Sequence, residues 1–384
     1  MKRLAPLVAV ALVLSSCGSS DPIPAPPTPQ VITGGEAPTG DLAFVSGGWA
    51  TDWSTRTIEL DELRIGIQVI PIRDRIRPID NPEFAPASDA GWTDPEPGLL
   101  LVVGDTARFY PLAMLIVHEI VNDEIEGRPM RNSALVFDPV VDGQQLRFGT
   151  SGLLRNSDLV MWDDATESLW QQIGGEGLVG AYAGHRLDVI PSAIVSWGDF
   201  KAGYPDGVVL APPGLPASSY GRNPYVRYTS RLAPIPGFFD STILDERYPA
   251  LERTVGVTVN DHDKAYPFSV VQANRVVNDT VAGVPVVVLW SPGTADALDS
   301  PVTADGTDVG AALAFDRRVD GEPLEFSPAV DGRFTDDRTG STWNVLGQAV
   351  DGELAGSRLE PVVHTNEFWF AWSAFHPNGE VFGP

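Results

Sequence analysis

Tyr110 to Gly127, YPLAMLIVHEIVNDEIEG, returns in altered form at Tyr266 to Gly283 as YPFSVVQANRVVNDTVAG. Pro111 is a favoured first helical residue. Leu112, Leu115, Ile116, Glu119 and Ile120 follow at helical spacing, which predicts a helix from Pro111 to about Asn122. Leu99 to Val103, just upstream, is a strand-type apolar run ended by Gly104-Asp105. Downstream the chain turns β-rich. Val141-Asp142-Gly143 between alternating apolar residues is a hairpin signal, and Thr166, Ser168 and Trp170 alternate in the same way. Leu42 to Ile72 suggests short strands, and Pro78 and Pro82 mark a turn-rich loop after it.

The repetition extends beyond the opening stretch. Leu135 to Phe148 (LVFDPVVDGQQLRF) matches Leu313 to Phe326 (LAFDRRVDGEPLEF) at eight of fourteen positions. Asp163-Asp164-x-Thr166-x-Ser168-x-Trp170 returns as Asp336-Asp337-x-Thr339-x-Ser341-x-Trp343. Trp197-x-x-Phe200, Pro205 and Gly207 return as Trp372-x-x-Phe375, Pro377 and Gly379. Four blocks in one order describe a tandem duplication with a period of about 175 residues, too long for a solenoid unit. The expected fold class is α+β: mostly antiparallel strands with one packed helix per repeat, in two related domains that either stand in tandem or pair about a pseudo-twofold axis. The first domain spans 42–210, a proline-rich linker 211–243, and the second domain 244–384.

The N-terminus reads as a leader. Lys2 and Arg3, an apolar run from Leu4 to Leu14, and Leu14-Ser15-Ser16-Cys17 resemble a bacterial lipoprotein signal. That resemblance makes 1–16 the signal peptide, Cys17 the lipidated first residue, and membrane lipid a partner through Cys17. Residues 17–41 are a proline- and glycine-rich tether, extended at about 3 Å per residue. Cys17 is the one cysteine, which excludes an intramolecular disulfide, a cysteine-rich zinc site and a cysteine nucleophile in the mature domain. Losing Lys2 and Arg3 with the leader takes the net charge from −25 to −27. Phosphate repels such a polyanion, so nucleic acid is not an expected partner. A 43% hydrophobic content supplies a core, so the acidity is not that of a disordered tail.

The blocks YPL-x-x-L-x-x-HEIVND, SALVF-D, F-G-x-SGLLRNSDLVM and D-x-TESLW-x-Q-x-x-GE resemble the uncharacterised bacterial and archaeal family called domain of unknown function 3179. The resemblance covers roughly Arg75 to Leu210, with a diverged copy over Leu244 to Pro384. It implies an architecture and no activity. The family pattern places a strand ending in Cys-Pro-Leu-Cys after the helix. Here Gly127-Arg128-Pro129-Met130-Arg131 runs almost directly into Asn132-Ser133-Ala134, and the second half has Ser291-Pro292 where Cys-Pro would stand. Any chemistry of that cysteine pair is lost.

A residue kept in both copies reads as scaffold, and a polar residue in one copy is free to serve function. Asn122-Asp123 and Asn278-Asp279 recur and read as helix cap and turn. His118 and Glu119 do not recur, Asn274 and Arg275 standing in their place. H-E-x-x-N resembles the H-E-x-x-H zinc signature with Asn122 as the second ligand on one helical face. An amide is a poor zinc ligand, so a zinc protease is not expected. A weaker metal site on His118 and Glu119 with distant carboxylates such as Glu167 or Glu176 stays open. So does the plain alternative of a histidine bonded between helix and sheet. Polar residues of the first copy also gather in two predicted loops, giving Ser151, Arg155, Asn156, Glu167, Gln171 and Glu176 as ligand-binding candidates with His118 and Glu119. The Ser151 neighbourhood lacks the G-x-S-x-G spacing of a hydrolase elbow. The residues identify no cofactor. The expected role is ligand binding or assembly at the cell surface, with a small-molecule or protein partner of unknown identity. The alternative is a metal-dependent extracytoplasmic enzyme centred on His118 and Glu119.

Overall fold

The computed structural model describes residues 30–132, 135–216 and 219–383. The leader, Cys17 and the tether as far as residue 29 lie outside the described residues. No described helix is long and apolar enough to cross a membrane.

Antiparallel strands dominate, with a few short helices between them. Residues 97–210 build three sheets. In the first, Pro97–Val103 pairs with Ser192–Ser196 on one side and Thr106–Pro111 on the other, and Val208–Leu210 runs parallel to Thr106–Pro111. Residues 253–381 repeat that order: Arg253–Val259 lies between His364–Phe368 and His262–Pro267, with Glu380–Val381 parallel to the latter. The second and third sheets also share their order across the halves. What differs is an extra edge on each first-half sheet. Arg64–Ile65, Ile79–Asp80 and Phe84–Pro86 each add one strand, so residues 64–86 close three sheet edges in turn.

Each half carries two short helices at matching places where one was expected, Leu112–His118 and Trp197–Gly203, then Phe268–Asn274 and Trp369–Phe375, and Gly40–Val45 adds another at the start of the first half. The predicted helix from Pro111 to Asn122 ends early. Glu119 adopts φ 59 and its N–H bonds the Leu115 carbonyl at 2.7 Å, closing the last turn. A strand, Val121–Ile125, follows, as β-branched Ile120 and Val121 favour. Asn122 and Asp123 are therefore strand residues, not cap and turn. Asn122 is buried and bonds Asp80 and both backbone groups of Phe148. Asp123 accepts from Arg108 and Tyr110. In the second half Asp279 takes Tyr266 and Lys264 in the same way, at 2.8 Å each.

The tail block also registers differently. Trp197 and Phe200 stack on each other, and so do Trp369 and Trp372. A Cβ on Gly207 would sit 2.6 Å from the Phe200 ring, and one on Gly379 2.4 Å from the Trp372 ring. Phe200 thus stands where Trp372 does. The repeated Trp-x-x-Phe letters match one helix out of register with the other.

One apolar core crosses the halves. Leu100, Phe109, Val195, Trp197 and Phe200 pack with Val287, Leu289, Leu313, Phe315, Phe334 and Trp343. The connecting segment, read as a linker, is bonded to both halves: the Ser157 N–H reaches the Phe238 carbonyl at 2.7 Å, and the Tyr228 N–H the Leu298 carbonyl at 3.0 Å.

Candidate functional site

A cavity of about 540 Å³ lies where the helix Leu112–His118, the hairpin Phe148–Arg155/Asp158–Asp163, the connecting segment and the second half meet. Leu112, Leu115 and Ile116 come from the helix, and Leu154 and Leu159 from the hairpin. Tyr225, Tyr228, Ile235 and Phe238 close it from the connecting segment. Arg253, Asn366 and Phe368 come from neighbouring strands of the second half. A mostly apolar wall with a few convergent polar groups is the usual form of a small-molecule site.

Glu119 is the acid of this cavity. Its backbone has φ 59 and ψ −42, a sparsely populated positive-φ conformation that costs a residue with a Cβ roughly 1–3 kcal/mol. Burial among the apolar wall pushes its carboxyl up to about 7 from an ordinary 4.5. Near neutral pH the raised carboxyl is therefore able to hold its proton and donate a hydrogen bond. Two local costs on one residue are what a functional position shows more often than a structural one. Around it, the Ser157 hydroxyl is buried without a hydrogen-bond partner. Arg253 is paired with Asp296 at 2.6 Å and lies over the Phe368 ring at 5.3 Å. Burial, then the Glu119 charge, raises the Tyr225 phenol.

His118 faces elsewhere. Its Nδ1 is 2.8 Å from the Arg77 carbonyl, and because a carbonyl only accepts, that nitrogen carries a proton. Its Nε2 meets the Tyr220 hydroxyl at 2.9 Å. Both nitrogens are engaged, so His118 holds the start of the connecting segment against the helix. Asn122 is off the helix, so the supposed shared face with His118 does not exist. Among the described residues no three His, Cys, Asp or Glu side chains converge.

The remaining candidates do not join this cavity, and the stretch read as a loop is a strand. Ser151, in Phe148–Arg155, donates to the Val160 carbonyl and accepts from the Leu153 N–H, which pins the bulge between Thr150 and Leu153. Arg155 pairs with Glu62 at 2.8 Å and lies over Phe375. Asn156 makes the hairpin turn at φ 49. Glu167 takes Arg73 at 2.7 Å and the Ala50 N–H, tying down the N-terminal segment. Gln171 bonds Asp158 at 2.6 Å, and Glu176 pairs with Arg186 at 3.4 Å. Missed entirely were Tyr225, Tyr228, Phe238, Arg253 and Phe368, since no repeat comparison inspects the connecting segment or looks for ligand walls in the second copy.

The family described as a protein of unknown function, DUF3179, matches residues 73–379 as one stretch that runs through both halves. No curated protein and no solved structure matches the chain.

Proposed function

The chain belongs to the DUF3179 family, which brings no activity with it, and we propose from the geometry that it binds a small, mostly apolar ligand in the cavity beside Glu119. The observation that carries this is the coincidence of Glu119's raised carboxyl, its positive-φ backbone and an apolar concavity of ligand size. The ligand would place an acceptor, a carbonyl or ether oxygen, on the protonated carboxyl and its apolar body along Leu115, Ile116 and Phe368. A neutral apolar fluorophore such as Nile red tests this on the purified protein. Enhanced fluorescence that falls as pH rises through about 7, and is lost in Ile116→Trp with an unchanged circular dichroism spectrum, is expected. Undiminished binding in the folded Ile116→Trp protein would sink the reading.

The same proposal places the protein outside the cell, held by lipid on Cys17; Leu14-Ser15-Ser16-Cys17 and the tether after it support that placement. Labelled palmitate should enter the wild-type chain and not Cys17→Ala, and equal labelling of the two would end it. We also take the halves as tandem copies of one ancestral unit, on the recurring blocks and shared strand order. An experimental structure pairing the strands of the halves in different orders would refute that.

A further inference from the structure

A second concavity, of about 300 Å³, opens on another part of the junction between the halves, and no residue is common to it and the Glu119 cavity. His364, at the start of the strand His364–Phe368, lines it and is only 2% exposed. Its Nδ1 is 2.9 Å from the Val362 carbonyl and must carry the proton there. Burial lowers the imidazole's pKa, which keeps the ring neutral at physiological pH. Nε2 is therefore a bare acceptor, buried and without a hydrogen-bond partner. Leaving such a group unmet is costly, and a donor brought to it removes that cost.

Two charges of opposite sign stand at the same concavity. The Arg358 guanidinium lies over the Tyr204 ring at 5.2 Å, and among the described residues no carboxylate pairs with it. Glu360, two residues on, is exposed and lines the site too. The rest of the wall is apolar, with Leu100 and Val102 from the first half and Leu313, Phe315 and Leu346 from the second.

We propose that this concavity binds an α-amino acid with an apolar side chain: carboxylate on Arg358, ammonium on Glu360 and the His364 Nε2 acceptor, side chain among Leu100, Leu313 and Phe315. The complementarity is threefold. A planar guanidinium suits a carboxylate, an acid and a bare imidazole nitrogen both call for N–H donors, and the volume suits a leucine or phenylalanine better than a drug-sized molecule.

Isothermal titration of the purified protein with L-leucine and L-phenylalanine at millimolar concentration tests this. Binding is expected, weakened about tenfold or more in Arg358→Ala and in Glu360→Gln, both surface changes that leave the core intact. N-acetyl-L-leucine, which lacks the cation, and L-leucinamide, which lacks the carboxylate, should bind at least tenfold more weakly than L-leucine. His364→Phe should bind more weakly still. The Ile116→Trp protein should bind L-leucine normally, which separates this site from the Glu119 cavity. No binding of either amino acid, equal binding of the two blocked analogues, or full affinity in both Arg358→Ala and Glu360→Gln would overturn the proposal.

Discussion

The two helix-to-strand junctions, Glu119 in the first half and Arg275 in the second, share a backbone and differ in what surrounds them. Both residues follow a seven-residue helix and both turn it at positive φ, 59 and 62. Arg275 reaches the Ala329 carbonyl at 3.2 Å, in the short turn between Phe326–Pro328 and Phe334–Asp336. In the first half the matching hairpin is longer, Phe148–Arg155 with Asp158–Asp163, and its turn is bonded to the connecting segment instead. Space is left between helix and hairpin, and Glu119 faces it. The two junctions share a scaffold and differ in the fittings around it. The central sheets differ in a similar way. Ala107, Ala193 and Val195 of the first half enter the shared core, whereas Asp263, Thr365 and Glu367 hold the same places in the second. Burial raises the Glu367 carboxyl, whose two oxygens are both buried.

The comparison breaks most readily where the halves agree. Asp163 accepts from the Thr166 N–H at 2.7 Å and the Trp170 indole at 2.9 Å, and Asp336 takes Thr339 and Trp343 at 2.7 and 3.0 Å. Both tryptophans are fully buried. Removing either acid leaves a buried indole and a turn N–H unmet, so Asp163→Ala and Asp336→Ala should each cost about 4 kcal/mol in denaturant unfolding. Equal losses mean that both halves rely on the same structural device. A loss under about 1 kcal/mol in one half would show that its turn is held by something else.

What the sequence made legible follows the same division. Asp142-Gly143 announced its hairpin because Asp-Gly suits a tight turn with two positive φ values, and the two residues that join Val140–Val141 to Gln144–Gln145 have φ 50 and 78. The end of the first helix was not legible, because Glu119 takes a backbone region that glycine or asparagine would normally advertise. Asn122 and Asp123 misled for a related reason. Their usual turn chemistry is local, but here their partners, Asp80 and Arg108, lie elsewhere in the sequence. Comparing copies did single out Glu119. It could not show the cavity, whose walls come from the helix, the hairpin, the connecting segment and the second half. It also drew in Ser151, Glu167 and Gln171, which differ between the halves and hold the longer hairpin and the N-terminal segment in place.

Glu119 gives the second test. Its carboxyl is raised from 4.5 to about 7 by burial, so the folded state holds this proton more tightly than the unfolded chain does. The group favours folding fully below about pH 4.5, and that advantage is lost as pH rises to about 7, a change of up to about 3 kcal/mol. Glu119→Gln should thus match the wild type near pH 4 and exceed it by about 2–3 kcal/mol near pH 8 in denaturant titrations. Arg275→Gln should show no such pH dependence relative to wild type. A Glu119→Gln protein whose stability difference is flat with pH would mean that Glu119 is not desolvated as the cavity requires.

The smallest effect concerns His376, which stands where the first half has Tyr204 and stacks on Trp372 as Tyr204 packs on Phe200. Its Nδ1 is 2.9 Å from Asp263, a residue whose first-half counterpart is Ala107. Burial lowers the imidazole's pKa, but Asp263, helped by the Glu367 charge and opposed by Arg186, more than offsets this and raises it; Asp263 is correspondingly lowered. The histidine's contribution is fully present below its ordinary 6.5 and fades as pH rises through its higher folded value. That of the aspartate is present above 3.8 and fades as pH falls through its lower folded value. The pair therefore stabilises most between about pH 4 and 6.5, by about 1 kcal/mol. Importing the first half's residue with His376→Tyr should remove that increment in mildly acidic buffer and change little in alkaline buffer, as read by melting temperature across pH. A loss equal at both ends would make His376 a packing residue, and the polar face around Asp263 and Glu367 would then need another explanation than charge.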